Sequence, residues 1–414
     1  AVPGMMAGMG MLWEQWGRLR WEEIARPSRD LLDDGFPYDI SASNIEAMAH
    51  VIRRFEATAK HLMPDGRIPR PDDVWHRPDM EKTLERLSIH GWRDFYTGDI
   101  GHRIADYLQD SGGILSREDM AAYEARISEP YAITYRNAHV YGPVLSNGCI
   151  SSLQILNLLN CLEPALPDTL LCWHQLAEVL KLAWRDRLKY AGDPDFVDVP
   201  VDRLLSPSYA MGRTETLRQF PWSIDRLIPE DPGDSHHGTL HVSAADVDGN
   251  VAAVTITHGA TFGSCVTVPG TGIILGHGMS RLDPRPGLAN SVAPGKRPLN
   301  NVAPMIIKLP DRDVATGVPG GRRIISVGAQ LARSIIDYGA TSFEAADAPR
   351  MHVQTQEPIE VTNNLDPDIV EKLRELGHDI QVMENVGFGA HCAEFLKDTK
   401  SVRAGGNTWA AAVD

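Results

Sequence analysis

Apolar residues recur at three- and four-residue spacing through 5–16 and 21–24 and again through 43–61, so the first 75 residues read as helical. Ser41 or Ser43 would cap the later helix, with Glu46 three residues after Ser43 to complete a capping box. Met63-Pro64-Asp65-Gly66-Arg67 is a turn, and helices follow over 79–92 and 100–109. Ser116, with Asp119 three residues on, caps a short helix to Tyr123. At 127–144 the period shortens to two, and Arg136-Asn137 sits between two short strands in a hairpin. A strongly apolar helix over 150–162 and an amphipathic one over 173–190 come next, the second ended by Gly192-Asp193-Pro194. Residues 204–226 are weakly helical.

The clearest strand pattern lies further on. Two runs rich in Val, Ala, Ile and Thr, from Thr239 to Thr257, flank Asp248-Gly249-Asn250, and Asp-Gly is a strong hairpin signal. Strands are predicted at 272–275 and 305–308, then a glycine-rich turn at 317–321 and a helix over 323–338. A short helix at 343–348, a strand at 359–361, a helix at 367–376 closed by Gly377 and a strand at 380–383 complete the chain. Repeats, low-complexity segments and dividing linkers are absent from the sequence. Helices first, then mixed strands and helices, predict one α/β sandwich with the Thr239 hairpin as a central pair of strands.

Composition narrows the function more than the fold. The 414 residues are 43% hydrophobic and 23% charged, with 40 Lys and Arg against 55 Asp and Glu. A net charge of −15 without a basic stripe disfavours nucleic acid and anionic membranes as partners. No apolar run is long enough to span a bilayer. Ala1-Val2-Pro3-Gly4-Met5 has neither an initiator Met nor the regions of a signal peptide. Cys149, Cys161, Cys172, Cys265 and Cys392 are odd in number and far apart, which fits buried thiols in a reducing, cytoplasmic compartment better than a disulfide framework. His236, His237 and His241 cluster near the hairpin without a Cys or carboxylate at ligand spacing, so no metal site is expected there.

Several stretches, taken together and in order, resemble the γ-glutamyltranspeptidase family of N-terminal-nucleophile hydrolases. They are Val2-Pro3-Gly4, Phe95-Tyr96-Thr97-Gly98, Gly113-Ile114-Leu115 with Asp119 and Tyr123, Leu153-Gln154-Ile155-Leu156-Asn157 and Gly192-Asp193-Pro194-Asp195-Phe196-Val197. Thr239 to Asn250, Lys296-Arg297-Pro298-Leu299, Pro319-Gly320-Gly321 and Ile336-Asp337-Tyr338-Gly339 continue the series. The resemblance implies a four-layer αββα sandwich, made as a precursor that cuts itself before a Thr. The cut would fall between Gly238 and Thr239, leaving 1–238 and 239–414 associated as one structural domain. A Thr hydroxyl is a weak nucleophile, and the α-amine freed by the cut can serve as its base. The resemblance further implies that Thr257 orients this hydroxyl and that the Gly320 and Gly321 N–H groups hold the oxyanion. Small amide or peptide substrates, with water or an amino acid as acceptor, are expected, and no cofactor.

The resemblance weakens where the family holds its acyl group. The residues that meet the glutamyl amine correspond here to Gly259, Gly278 and Arg281, so a carboxylate is replaced by a cation. The serine pair that meets the glutamyl carboxylate is Asn300-Asn301, which can still donate hydrogen bonds. The family's carboxylate-binding Arg is expected upstream of Ala1. His258 and His277 are candidate substrate contacts. An ammonium facing Arg281 would be disfavoured, so the acyl group is expected to lack a free α-amine or to carry an extra carboxylate. A non-catalytic or truncated relative, and a biosynthetic enzyme cleaving C–C or C–N bonds on the same scaffold, are the alternatives.

Overall fold

The computed structural model describes residues 1–218 and 238–407, and the chain forms two compact units. The first comprises Ala1–Ile127 and His258–Gly278. Its helices include Met5–Trp16, Trp21–Asp34, Ile40–Ile52, Glu56–Leu62, Pro78–His90 and Asp99–Asp110. They enclose two small cores, one around Tyr38, Ile45, Ile52, Leu62 and Trp75, the other around Phe95, Tyr96, Ile100, Ile104 and Met120. The returning segment is tied in by Thr58, whose Oγ1 donates to the Cys265 carbonyl at 2.7 Å and accepts from the Thr267 N–H at 2.9 Å.

The second unit, Ser128–Thr257 and Met279–Asp414, is layered. Six antiparallel strands run in the order Ser401–Gly406, His391–Leu396, Arg312–Gly317, Met305–Lys308, Ala138–Gly142 and Tyr131–Tyr135. Helices Cys149–Asn160, Leu170–Tyr190 and Arg323–Asp337 bring the apolar side chains of the main core, among them Leu153, Leu156, Leu180, Trp184 and Ile325. Burying such large side chains stabilises by about 1.5–3 kcal/mol each. The hairpin of Thr239–Ala245 and Val251–Thr257 is a separate two-stranded sheet stacked on the large one. His241, 1% exposed, points into the junction, while Leu240 and Val242 on the alternate face are half exposed. Ile359–Thr362 and Ile380–Met383 pair in parallel across the helix Pro367–Glu375 and carry Met351–His352 on one edge.

Most expected elements are present within one to three residues. The helix expected over 43–61 is two helices, interrupted between Ile52 and Glu56, and it starts at Ile40. Asp39 holds its N-cap position without a side-chain hydrogen bond, so neither Ser41 nor Ser43 caps it. The wholly helical start also contains a two-residue ladder, Phe36–Pro37 with Val74–Trp75. The stretch expected over 204–226 is broken by Pro207 into Val201–Leu204, Pro207–Thr214 and a 3-10 turn at Glu215–Arg218, and 219–226 lies outside the described residues. The hairpin sits over the middle of the large sheet but, among the described residues, its strands pair only with each other. Strands Arg312–Gly317, His391–Leu396 and Ser401–Gly406 carry buried charge instead of apolar alternation. Glu394, fully buried, accepts from Arg403 Nη2 at 2.7 Å and from the Ser342 N–H at 2.5 Å.

Two of the sequence motifs meet in this unit. The carboxylate of Asp193, fully buried, accepts from the Arg297 N–H at 2.8 Å, Nε at 3.2 Å and Nη2 at 2.6 Å. Burial pushes the Asp193 pKa up, but these hydrogen bonds outweigh it and hold the group below its ordinary value. The Arg297→Ala change strands a buried carboxylate and is expected to cost about 3 kcal/mol, read as a lower urea midpoint. Because the folded pKa is depressed, the Asp193 contribution is present at neutral pH and fades as pH falls below the ordinary carboxylate range. An unchanged midpoint in the variant would show that the clamp is not holding 297–301 in place.

Candidate active site

The register of the hairpin places the two threonines opposite each other. An Asp246 turn sets it: Oδ1 accepts from the N–H groups of Asp248 and Asn250 at 3.1 and 2.9 Å, and Oδ2 from Asn250 Nδ2 at 2.8 Å. Gly249 takes φ 91°, open to glycine at little cost. Seven residue pairs then run from Ala245 opposite Val251 to Thr239 opposite Thr257. The two side chains share a face, and their Oγ1 atoms lie 2.9 Å apart. Thr257 Oγ1 also donates to the Gly238 carbonyl at 3.0 Å. A hydroxyl has one proton. With that proton on Gly238, Thr239 is the donor between the two hydroxyls, and its lone pairs are left for other chemistry.

His241, two residues along the same face, is fastened at both nitrogens: Nδ1 to Thr255 Oγ1 at 2.7 Å and Nε2 to Ser243 Oγ at 2.8 Å. Burial, with a smaller push from His391, lowers its pKa to about 4, so it is neutral at physiological pH. Its ring fills the space against Gly317, where a Cβ would lie 2.3 Å from the imidazole. The histidine is thus a packing element between the sheets. His236 and His237 lie outside the described residues.

Three residues after Gly317 the chain turns sharply. Gly320 has φ 144° and Gly321 φ 62°, and a Cβ on Gly320 would sit 2.8 Å from the Gly387 Cα. Their carbonyls accept from the N–H groups of Arg323 and Ile324, at 3.1 and 3.4 Å, which opens the helix Arg323–Asp337. Among the described residues, the Gly320 and Gly321 N–H groups donate to no protein acceptor. Two donors at a helix start are suited to an anion.

In the same unit, the Asn300 N–H donates to the Ser146 carbonyl, and Arg187 Nη2 donates to the Asn300 carbonyl at 2.8 Å and to Asn301 Oδ1 at 2.9 Å. Asn290 links Arg281 to this segment: Nδ2 donates to the Arg281 carbonyl at 2.6 Å, and Oδ1 accepts from the Leu299 N–H at 3.2 Å. The structure thus gathers Thr239 with Thr257, and Arg281 with Asn300 and Asn301. His258, Gly259, His277 and Gly278 belong to the first unit. There the His277 N–H donates to the His258 carbonyl at 2.6 Å, Gly259 turns with φ 87°, and burial with the Arg77 charge lowers the His258 pKa.

Arg187 and Arg322 were not singled out from the sequence, although Arg322 directly follows the Gly-Gly pair. His174, Glu178 and His378 also come together in ligand-like geometry. His174 Nδ1 and His378 Nε2 share a hydrogen bond at 2.8 Å, and Lys181 Nζ bridges Glu178 and Glu357 at 2.9 and 2.6 Å. The ammonium already supplies the cation that the carboxylates need, so the cluster is a structural ion network.

Stacked sheets with helices on the large one, a strand opening on a Thr and a glycine turn at a helix start define the N-terminal-nucleophile hydrolase class. The Gamma-glutamyltranspeptidase family model matches residues 1–413, and the chain belongs to that family. It is 32% identical over 409 residues to the glutathione hydrolase proenzyme of Escherichia coli (strain K12), covering 93% of this chain and 70% of that protein. It is 31% identical over 411 residues to the acylase ACY 1 proenzyme of Pseudomonas sp. (strain SE83), covering 96% and 72%. The cephalosporin acylase structure from Bacillus halodurans superposes with a TM-score of 0.89 at 27% identity, covering 98% of this chain and 76% of that one.

If His241 is a neutral packing element, its imidazole should stay uncharged in histidine NMR spectra down to pH 5. Its folded pKa lies below the ordinary value of 6.5, so the unfolded chain binds the proton first. Its contribution to stability is therefore complete above 6.5 and declines as pH falls toward about 4. Titration of His241 near 6.5 would contradict the assignment.

Proposed function

We propose that the chain is an autoprocessing amidohydrolase or acyltransferase whose nucleophile is Thr239. The observation that carries this reading is the position of Thr257 Oγ1, within 2.9 Å of the Thr239 hydroxyl and 3.0 Å of the Gly238 carbonyl oxygen. In the precursor, Thr239 Oγ1 adds to the Gly238 carbonyl carbon as its proton passes toward Thr257. The tetrahedral intermediate collapses with the Thr239 nitrogen leaving, so the Gly238 acyl group moves from nitrogen to oxygen. Water hydrolyses that ester, giving the carboxylate of Gly238 and a free α-amine on Thr239. Chains 1–238 and 239–414 then remain associated.

In the mature enzyme this amine, with a reference pKa near ~8, accepts the hydroxyl proton. Thr239 Oγ1 attacks the substrate amide carbonyl, and the Gly320 and Gly321 N–H groups take the oxyanion. Each such donor contributes about 3–4 kcal/mol to the transition state. The amine product leaves with the proton, and water or an amino acid resolves the acyl-enzyme. The close relatives are named both glutathione hydrolase and acylase, which supports an amide-directed reaction while leaving the acyl group open. Gly259, Gly278 and Arg281 replace the amine-binding set, so the acyl group differs from γ-glutamyl. A dicarboxylic monoamide, or an acyl group without a free amine, suits a cation at Arg281. His258 and His277 are proposed as further substrate contacts.

Mass spectrometry of the expressed protein should find two chains, the smaller beginning at Thr239, and Thr239→Ala should remain a single chain. A Thr239→Ala protein that still divides at this bond would sink the nucleophile assignment. Thr257→Ala should slow processing on the order of 10²-fold, the scale of losing one positioned hydrogen-bonding group, followed as the disappearance of the intact chain. A persistently intact wild-type chain would favour a non-catalytic relative. On the mature enzyme, a dicarboxylic monoamide should be hydrolysed in preference to a γ-glutamyl anilide; equal rates would reject the altered specificity.

A further inference from the structure

The second unit holds a cavity of about 380 Å³ that is lined by none of the residues assigned above to the reaction. It lies where the start of the helix Leu170–Tyr190, the last turns of Arg323–Asp337 and the start of Pro367–Glu375 come together. Gly320 and Gly321 precede the other end of Arg323–Asp337. At the usual rise per residue, Arg333 stands about 15 Å along the axis from Arg323. Cys172, Trp173 and Leu176 of the first helix and Leu365 and Ile369 of the last give the cavity buried apolar walls. Concave sites with apolar walls and a few convergent polar groups are the usual places for small molecules.

Most polar groups of the lining are already used. Trp173 Nε1 donates to the Pro167 carbonyl at 2.8 Å, Tyr338 Oη to the Ala165 carbonyl at 3.0 Å, and Gln330 Nε2 to the Ser326 and Met351 carbonyls at 2.9 and 2.7 Å. Glu344 and Asp366 turn back to their own helices and accept from the N–H groups of Thr341 and Asp368, both at 2.8 Å. Three lining side chains make no hydrogen bond among the described residues. Arg333 is 5% exposed, and its buried Nε lacks a hydrogen-bond partner. Its ion pair to Asp337 is long, 3.5 Å from Nε, and that carboxylate is shared with Tyr135 at 2.7 Å and Arg136 at 3.3 Å. Ser334, one residue on, and the exposed Asp168 are the other two. A buried guanidinium without hydrogen bonds is costly until something completes it. Arg333 and Asp168 line one cavity, yet they do not pair with each other.

We propose that this cavity is a binding site for a free α-amino acid with a large apolar side chain, separate from the reaction centre. The ligand's carboxylate accepts from the Arg333 guanidinium and the Ser334 hydroxyl, a charge-assisted contact of the stronger kind. Its ammonium faces Asp168 at the mouth, and its side chain lies between Trp173 and Ile369. An apolar acid would leave Asp168 unused, and an apolar amine would leave Arg333 unused. A ligand that carries both charges on an apolar body answers both. The site does not rest on the reading of Thr239 as nucleophile.

The test is calorimetric titration of the whole expressed chain with L-phenylalanine, with phenylpropionate, which lacks the ammonium, and with phenethylamine, which lacks the carboxylate. Phenylalanine should bind on the order of 10-fold or more tighter than phenethylamine, the scale of one buried charge-assisted contact. Against phenylpropionate the preference should be about 3- to 5-fold, because Asp168 is exposed. Asp168→Asn should remove the second preference and keep the first. Arg333→Gln should remove the first and keep the second, with part of the loss restored in Arg333→Lys. A merely structural role would move both ratios together. If Arg333→Gln does not fold, Asp168→Asn decides alone. Thr239→Ala should bind phenylalanine as the wild type does, which keeps this test apart from that of the nucleophile. No saturable binding of phenylalanine, equal affinities for the three probes, or both ratios unchanged in Asp168→Asn would overturn the proposal. The last result would place the amino acid elsewhere, at the reaction centre itself.

Discussion

The hydrogen bond between the hydroxyls of Thr239 and Thr257 can form only in one register of the hairpin. Side chains alternate along a strand, so a slip of one residue would turn every one of them to the opposite face. Thr239 would then leave Thr257, and His241 would leave the cavity against Gly317 that its ring fills. Two features prevent the slip. The Asp246 carboxylate, with its three donors, fixes the turn. At the other end Ser243 Oγ donates to the His391 carbonyl at 3.2 Å, and His391 Nδ1 lies 2.9 Å from the His241 carbonyl, which locks the hairpin to the large sheet. The candidate nucleophile is therefore positioned by hydrogen bonds made up to eleven residues away.

That arrangement explains why the hairpin was legible in the sequence, while the roles of its threonines came only with the family resemblance. The Asp-Gly turn and the alternation of 239–257 fix the register, and with it the pairing of two threonines eighteen positions apart. Pro319-Gly320-Gly321 announces a backbone conformation that side-chain-bearing residues avoid. Long amphipathic helices such as Leu170–Tyr190 and Arg323–Asp337 were equally visible. The three strands of the large sheet that were missed contain Arg312, Glu394 and Arg403, whose mutual pairing replaces the apolar alternation that marks a strand. An ion cluster assembled from three distant segments has no local signature. The same holds for Arg187, which reads as the polar face of a helix and is in fact buried against Asn301.

The contrast between the two kinds of site residue has a physical basis. The proposed chemistry uses backbone N–H groups, a backbone carbonyl and two short hydroxyls, all set by register and by a turn in which Gly320 meets Gly387. Nearly any side-chain change in that turn is excluded by space: a Cβ at Gly320 has 2.8 Å to the nearest atom. The residues that would hold the acyl group stand on looser structure. Arg281 ends a four-residue 3-10 turn, and Asn300 and Asn301 precede a strand.

Charge can therefore be redistributed around this site without moving the reacting atoms. In the second unit the Asp193–Arg297 clamp fixes the start of the 297–301 segment, and Asn290 fixes its distance from Arg281. Given those anchors, exchanging the side chain at 281 changes the potential in the pocket by a whole charge while the hairpin and the Gly-Gly turn stay where they are. Coulomb energy at short range in a partly dry pocket is worth several kcal/mol, more than the contact of one added methylene. On the proposed reading, a change of sign at 281 exchanges an ammonium-bearing acyl group for one without a free amine while leaving the reacting atoms in place.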